Sequence, residues 1–172
     1  MPQNAELGLL LESFNRNGRV NDAVLDKITE ADLTLDDGQS GWSIGQHLGH
    51  LAEFRYGWLN FISPQHTKSI SSVVEGDEQS FRLTTQSLDD LKRAFSAGDA
   101  AALEAVTSAL DENRSFEGAY KSHPAHFLQH IIVHDSHHRG QILSLLRRGG
   151  WTREQLSALD DATWTIWNEA KD

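Results

Sequence analysis

"HFLQHIIVHDSHHRGQ", residues 126–141, places histidines at positions 126, 130, 134 and 138, a strict step of four. Such a step turns an α-helix through about 400°, so each side chain drifts about 40° and rises about 6 Å from the last. The interleaved Phe127, Leu128, Ile131, Ile142 and Leu145 recur at helical, not alternating, spacing. The stretch therefore predicts one long helix with a row of imidazoles, and with it an all-α fold. With His134 set at zero, the apolar face centres near about +60°, His138 lies at about +40°, His130 at about −40° and His126 at about −80°. His134 and His138 are expected to face the bundle interior, His130 its edge and His126 the polar side. His130 and His138 would stand about 12 Å apart, so only neighbours in the row can share one ion.

Outward from that helix the pattern repeats. A first helix is expected over roughly residues 5–31, with Asn15 to Gly18 as a possible fray or kink. The DDGQSG loop at 36–41 ends that region, and Ser43 followed by Gln46 reads as a capping box opening a second helix to about Ile62. Ser63 to Glu78 reads as a long polar loop. A third helical region is expected from about Gln79 to Ala109, interrupted at Gly98, with Asp99 capping its second piece. Ser122, His123 and Pro124 open the fourth helix, which stops at Gly149 and Gly150. Thr152 and Gln155 repeat the capping box before a short C-terminal helix. The expectation is a single domain over residues 1–172: an antiparallel four-helix bundle with a short accessory C-terminal helix.

Composition narrows the chemistry. A net charge of −10 argues against a nucleic-acid partner, because the only short basic cluster is Arg147 and Arg148. With no cysteine there is neither a disulfide frame nor a thiolate ligand, which leaves histidines and carboxylates for metal or acid–base work. The N-terminus has no basic lead and no continuous apolar run, so no membrane partner is expected and the cytoplasm is the default compartment.

Two imidazoles one turn apart and aimed inward are either satisfied core histidines or two ligands of one metal. Burying both as packing demands several hydrogen-bond partners. The second helix supplies candidates for a third ligand in His47 and His50. His47 falls inside that helix's apolar arc of Ile44, Leu48, Leu51, Trp58 and Ile62, and His50 lies at its border, so periodicity slightly favours His47. Gly45 and Gly49 bare a strip beside these histidines, either for simple packing or for the close approach of another helix.

The combination W-S-I-x-x-x-L-x-H, from Trp42 to His50, with H-x-x-x-H-R-G-Q, from His134 to Gln141, resembles the DinB-like superfamily of YfiT-type four-helix bundles. That resemblance spans the order of all four helices. It implies that His50, His134 and His138 bind a divalent metal, zinc or nickel first and manganese or iron after them, with His47 as the rival for His50. It also implies a homodimer.

Three imidazoles leave coordination positions for a water whose pKa falls towards about 7, or for a substrate thiol or carbonyl. The expected function is a metal-dependent enzyme that activates a low-molecular-weight thiol, of bacillithiol or mycothiol type, against an electrophile, or a water for hydrolysis. The alternative is a non-catalytic, stress-associated binding or structural protein with a structural metal. Glu53, three residues after His50, is the candidate catalytic base or ligand-orienting group, with a solvent-facing helix acid as the plainer reading. Arg139 and Gln141 are expected to support the helix by hydrogen bonds, and Asp135 and His137 to point away from the site. Trp151, Trp164 and Trp167 are expected in an aromatic core, with a site roof or a dimer interface as alternatives.

Overall fold

In the computed structural model, residues 2–76 and 80–169 are described, with side chains from residue 5 onward. Five helices, α1 (Pro2–Lys27), α2 (Ile44–Ile62), α3 (Leu88–Asp111), α4 (His126–Arg148) and α5 (Arg153–Asn168), are joined by turns and one small hairpin, β1 (Val74–Glu75) with β2 (Arg82–Leu83). The fold is essentially all-α. Both α1 and α2 pack on α3 and α4, so α1 and α2 lie across the bundle from each other, while α5 rests on α1.

The sequence signals that set helix ends act as local chemistry requires. Ser43 Oγ accepts from Gln46 N–H while Gln46 Oε1 accepts from Ser43 N–H, and Thr152 and Gln155 repeat this reciprocal pair ahead of α5. The fourth helix begins slightly later than its Ser-His-Pro start suggested, at His126, where His123 Nδ1 accepts from Ala125 N–H. It ends at Gly149 and at Gly150, whose φ of +98° suits glycine.

Several expectations are corrected. The first helix runs without a break through Asn15 to Gly18 and stops at Lys27, because residues 30–34 form a separate 3₁₀ turn held by Thr29 and Asp32. The third helix starts at Leu88 under a Ser87 cap and is continuous through Gly98; Gln79, its expected start, lies outside the described residues. Asp99 caps nothing and instead takes an ion pair from Arg55. The strip at Gly45 and Gly49 admits the hairpin, not a helix: a Cβ on Gly45 would lie 2.7 Å from Leu83 Cδ1, and one on Gly49 2.8 Å from Val74 Cγ1. Of the C-terminal tryptophans, Trp151 packs against the core as expected, whereas Trp164 and Trp167 do not. Trp164 is 66% and Trp167 38% exposed, while Trp151 Nε1 donates to Asp32 and pins the α4–α5 turn to the 3₁₀ turn.

The core consists of two apolar clusters, one around Leu25, Leu48, Leu51, Phe95 and Leu146, the other around Phe14, Leu59, Val106, Phe127 and Ile131. Between them runs a polar layer to which every bundle helix contributes: Asn17 and Asn21 from α1, Arg55 from α2, Asp99 from α3, and Asp135 and Arg139 from α4. Arg55 donates to Asp135 through both terminal nitrogens, at 3.0 and 2.8 Å, and to Asp99 through Nε at 2.6 Å. Asn17 and Asn21 donate to Asp135 at 2.6 and 2.7 Å and accept from Arg139. Burial alone would raise the Asp135 carboxyl, but the Arg55 charge and these hydrogen bonds hold it below its ordinary range. At Asp99 the same competition goes the other way, and burial lifts it. The layer fixes the axial register of α2 against α4, which is what positions the histidines on either side of it.

Candidate metal centre

His134 and His138 straddle Asp135 on α4. Asp135 turns inward to Arg55, so the two histidines face α2 on the adjoining side. There His50 Nε2 stands 3.1 Å from His134 Nε2, and His47 Nδ1 stands 3.0 Å from His138 Nδ1. The rings of His50, His134 and His138 form a near-equilateral triangle, with centroids 4.9, 4.9 and 4.7 Å apart. One potential ligand atom from each of these three lies within 4.8 Å of the others. His47 is outside that triad and abuts it through His138.

Aromatic rings enclose the triad. Trp42 lies 4.9 Å from the His50 ring and is nearly parallel to His138 at 6.0 Å, and Phe81 from the hairpin meets both Trp42 and His50. On the far side Phe54 stacks on His134 at 3.8 Å. Gln46 Nε2 donates to the Phe81 carbonyl and ties the hairpin to α2 beside the site.

The electrostatics disfavour the charged form of His47, His134 and His138. Burial, then the neighbouring imidazoles, push His47 and His134 down to about 4 and His138 down to about 3 from the ordinary 6.5. A neutral imidazole has one N–H and one lone pair, so at an N···N contact only one partner can donate. His134 Nδ1 is buried with no hydrogen-bond partner among the described residues, which costs about 1–3 kcal/mol whichever tautomer is present. Imidazole nitrogens of two helices that converge this closely are a donor set suited to a cation. The spacing fits as well: four-coordinate zinc with nitrogen ligands at 2.0–2.1 Å sets them about 3.3 Å apart, close to the His50–His134 contact.

The residue profile of one known family matches residues 1–171. The chain belongs to the DinB family. No curated protein and no solved structure matches it. The helical fold and the three-histidine cluster compatible with a metal ion accord with DinB membership.

The other sequence candidates take different places in this DinB chain. The Glu53 carboxylate accepts from Ser72 Oγ at 2.8 Å, which ties it to the loop before β1. His130 Nδ1 pairs with Tyr120 Oη at 2.8 Å and meets Phe54 edge-on, one turn from the triad. His126 pairs with Gln129 and is exposed, as the helical rotation implies. His137 is exposed and paired with Gln141 Nε2. Arg139 supports the helix through Asn17 and Asn21. Asp135 points away from the triad as expected, but the sequence reading missed Arg55 and with it the buried pair the two form. The signal was present: Arg55 falls in the apolar row between Leu51 and Leu59, and Asp135 falls about 40° from the centre of the apolar face of α4. Two opposite charges at core positions of different helices are a sequence sign of a buried pair.

No helix among the described residues is long and apolar enough to cross a membrane.

Proposed function

We propose that this DinB chain is a metal-dependent enzyme in which His50, His134 and His138 hold a divalent ion, zinc or nickel first, that activates a low-molecular-weight thiol or a water. The observation that carries the reading is the triad of imidazoles drawn from two helices, with ligand atoms within 4.8 Å of one another. A divalent ion bound there supplies Lewis acidity, which makes a thiol or water a nucleophile near neutral pH. The chain's residues do the rest. The His47 contact orients His138, the Phe54 stack fixes His134, and Trp42 with Phe81 limits water on the His50 side. Because the chain has no cysteine, a thiol nucleophile must come from the substrate. The reading includes a homodimer as the working assembly and the cytoplasm as its compartment.

The test is metal analysis of protein purified without an affinity tag, followed by assay of thiol–electrophile conjugation and of hydrolysis with zinc, nickel, manganese or iron supplied. About one ion per chain, with turnover lost in His134→Ala, is the expected result. Metal-free protein that takes up none of these ions overturns the reading.

A non-catalytic structural metal is the second reading, and His47 favours it by placing a fourth imidazole against the triad. Coordination by four imidazoles in X-ray absorption spectra would select it.

A further inference from the structure

The fifth helix packs on α1 and has little contact with α4, and a trough is left between α4 and α5. It encloses about 450 Å³, within the size range of small-molecule sites, and none of the three triad histidines lines it. Val20 and Val24 of α1 are buried beneath it, Ile132 and Leu143 line it from α4, and Trp164 and Trp167 line it from α5. Gly140 of α4 lines it too, and a Cβ there would meet nothing within 4 Å. Glycine inside a helix costs about 1 kcal/mol against alanine, and no neighbour among the described residues requires it here.

One charged group reaches this apolar trough from the core. Arg139 lines it, with its side chain only 14% exposed. Its Nη1 donates to Asn17 and Asn21, whereas Nε and Nη2 make no hydrogen bond among the described residues. Neither atom is sealed off, since the one buried side-chain nitrogen or oxygen without a partner among those residues is His134 Nδ1. Nε and Nη2 form the guanidinium edge that grips a carboxylate with two parallel bonds. The charge is also poorly balanced. Burial and Arg55 both act against it, and the opposing Asp135 lies 4.0 Å away and already accepts from Arg55, Asn17 and Asn21. Asp160 lines the trough as well but is exposed and makes no ion pair with Arg139.

We propose that this trough is a second ligand site, which takes a fatty carboxylate: a hydrocarbon chain against Trp164, Trp167 and Leu143, and a carboxylate held by Nε and Nη2 of Arg139. The aliphatic lining suits the chain, and the half-paired guanidinium supplies the charge complement for the head group. The site lies apart from the histidine triad and does not depend on the metal reading.

The probe is decanoate, kept below micelle formation and titrated into the full chain while the indole N–H signals of Trp164 and Trp167 are followed by NMR. Saturable shifts are expected, unchanged by EDTA. Affinity should fall about tenfold for decanol, and about tenfold for decanoate in Arg139→Lys, which keeps the charge but loses the fork. In Gly140→Leu, whose side chain enters the trough and not the core, the shifts should vanish while the melting temperature stays at or above that of the wild type. Equal affinity for decanol, or tighter binding of decyltrimethylammonium, overturns the carboxylate assignment. Shifts that persist in Gly140→Leu or disappear with EDTA put the ligand elsewhere and overturn the site. So does the absence of any shift, whether the trough stays empty or a second copy of the chain covers the tryptophans.

Discussion

Arg55 and Asp135 face each other as a fully buried ion pair, 2.8 Å apart with neither side chain exposed, immediately beside His134 in the chain. Arg55 also lies over the Phe95 ring at 4.9 Å, so one guanidinium links α2, α3 and α4 at the level of the polar layer.

Breaking that pair leaves the buried Arg55 charge with Asp99 alone to balance it. Asp135→Asn is expected to destabilise the protein by about 3–5 kcal/mol, read from urea denaturation, because Arg55 cannot reach water. Joint replacement, Arg55→Met with Asp99→Leu and Asp135→Leu, should recover part of that loss. A single-variant cost under about 1 kcal/mol would show that the layer is not a buried charge network.

Gly98 makes room for this arginine. A Cβ there would lie 2.8 Å from Arg55 Cδ and 3.0 Å from Arg55 Cβ. Helix propensity favours alanine over glycine by about 1 kcal/mol, but the arginine is anchored by Asp99, Asp135 and the Leu51 carbonyl and has little freedom to yield. Gly98→Ala is therefore expected to be net destabilising, by about 1–3 kcal/mol, in thermal or urea unfolding. A stabilised variant would contradict the close approach.

Loss of histidines should weaken metal binding in a graded way. Removing His134 or His138 removes a ligand, whereas His47→Ala removes only the partner of His138, for which about a 10–100-fold loss of affinity is expected. His126→Ala and His137→Ala should leave affinity unchanged. Competition with a chromophoric chelator measures all five. A His47 loss as large as that for His138 would instead favour four-imidazole coordination.

The metal-free protein should lose stability in mild acid. His47, His134 and His138 have folded pKa values of about 4, 4 and 3, below the ordinary 6.5, so the unfolded chain takes up protons before the folded one does. Their contribution is complete above about pH 6.5 and is lost as pH falls through 6.5 toward 4. The melting temperature is expected to drop between pH 7 and pH 5, with a shallower drop in the double variant His134→Phe, His138→Phe. Identical pH slopes for the two proteins would count against neutral imidazoles in the cluster.

The sequence by itself determined the helices and the faces they bury. Apolar residues at a period of 3.6, a Ser43–Gln46 box and a Gly149–Gly150 stop are local signals, and local hydrogen bonding answers them directly. It also supplied the two motifs behind the family resemblance and the inward aim of His134 and His138. It misplaced what depends on partners: Asp99 looked like a cap because an acidic residue after glycine suits one, yet Arg55 claims it from another helix. The hairpin over Gly45 and Gly49 was hidden because two-residue strands carry no periodicity. Which imidazole of α4 each of His47 and His50 meets was decided by the tertiary structure, although the family resemblance had already implied His50 as the ligand. Both sit near one face of α2, and which imidazole meets which on α4 depends on the axial shift between the helices. That shift is set by the buried layer around Arg55 and Asp135, whose contacts join residues 80 positions apart.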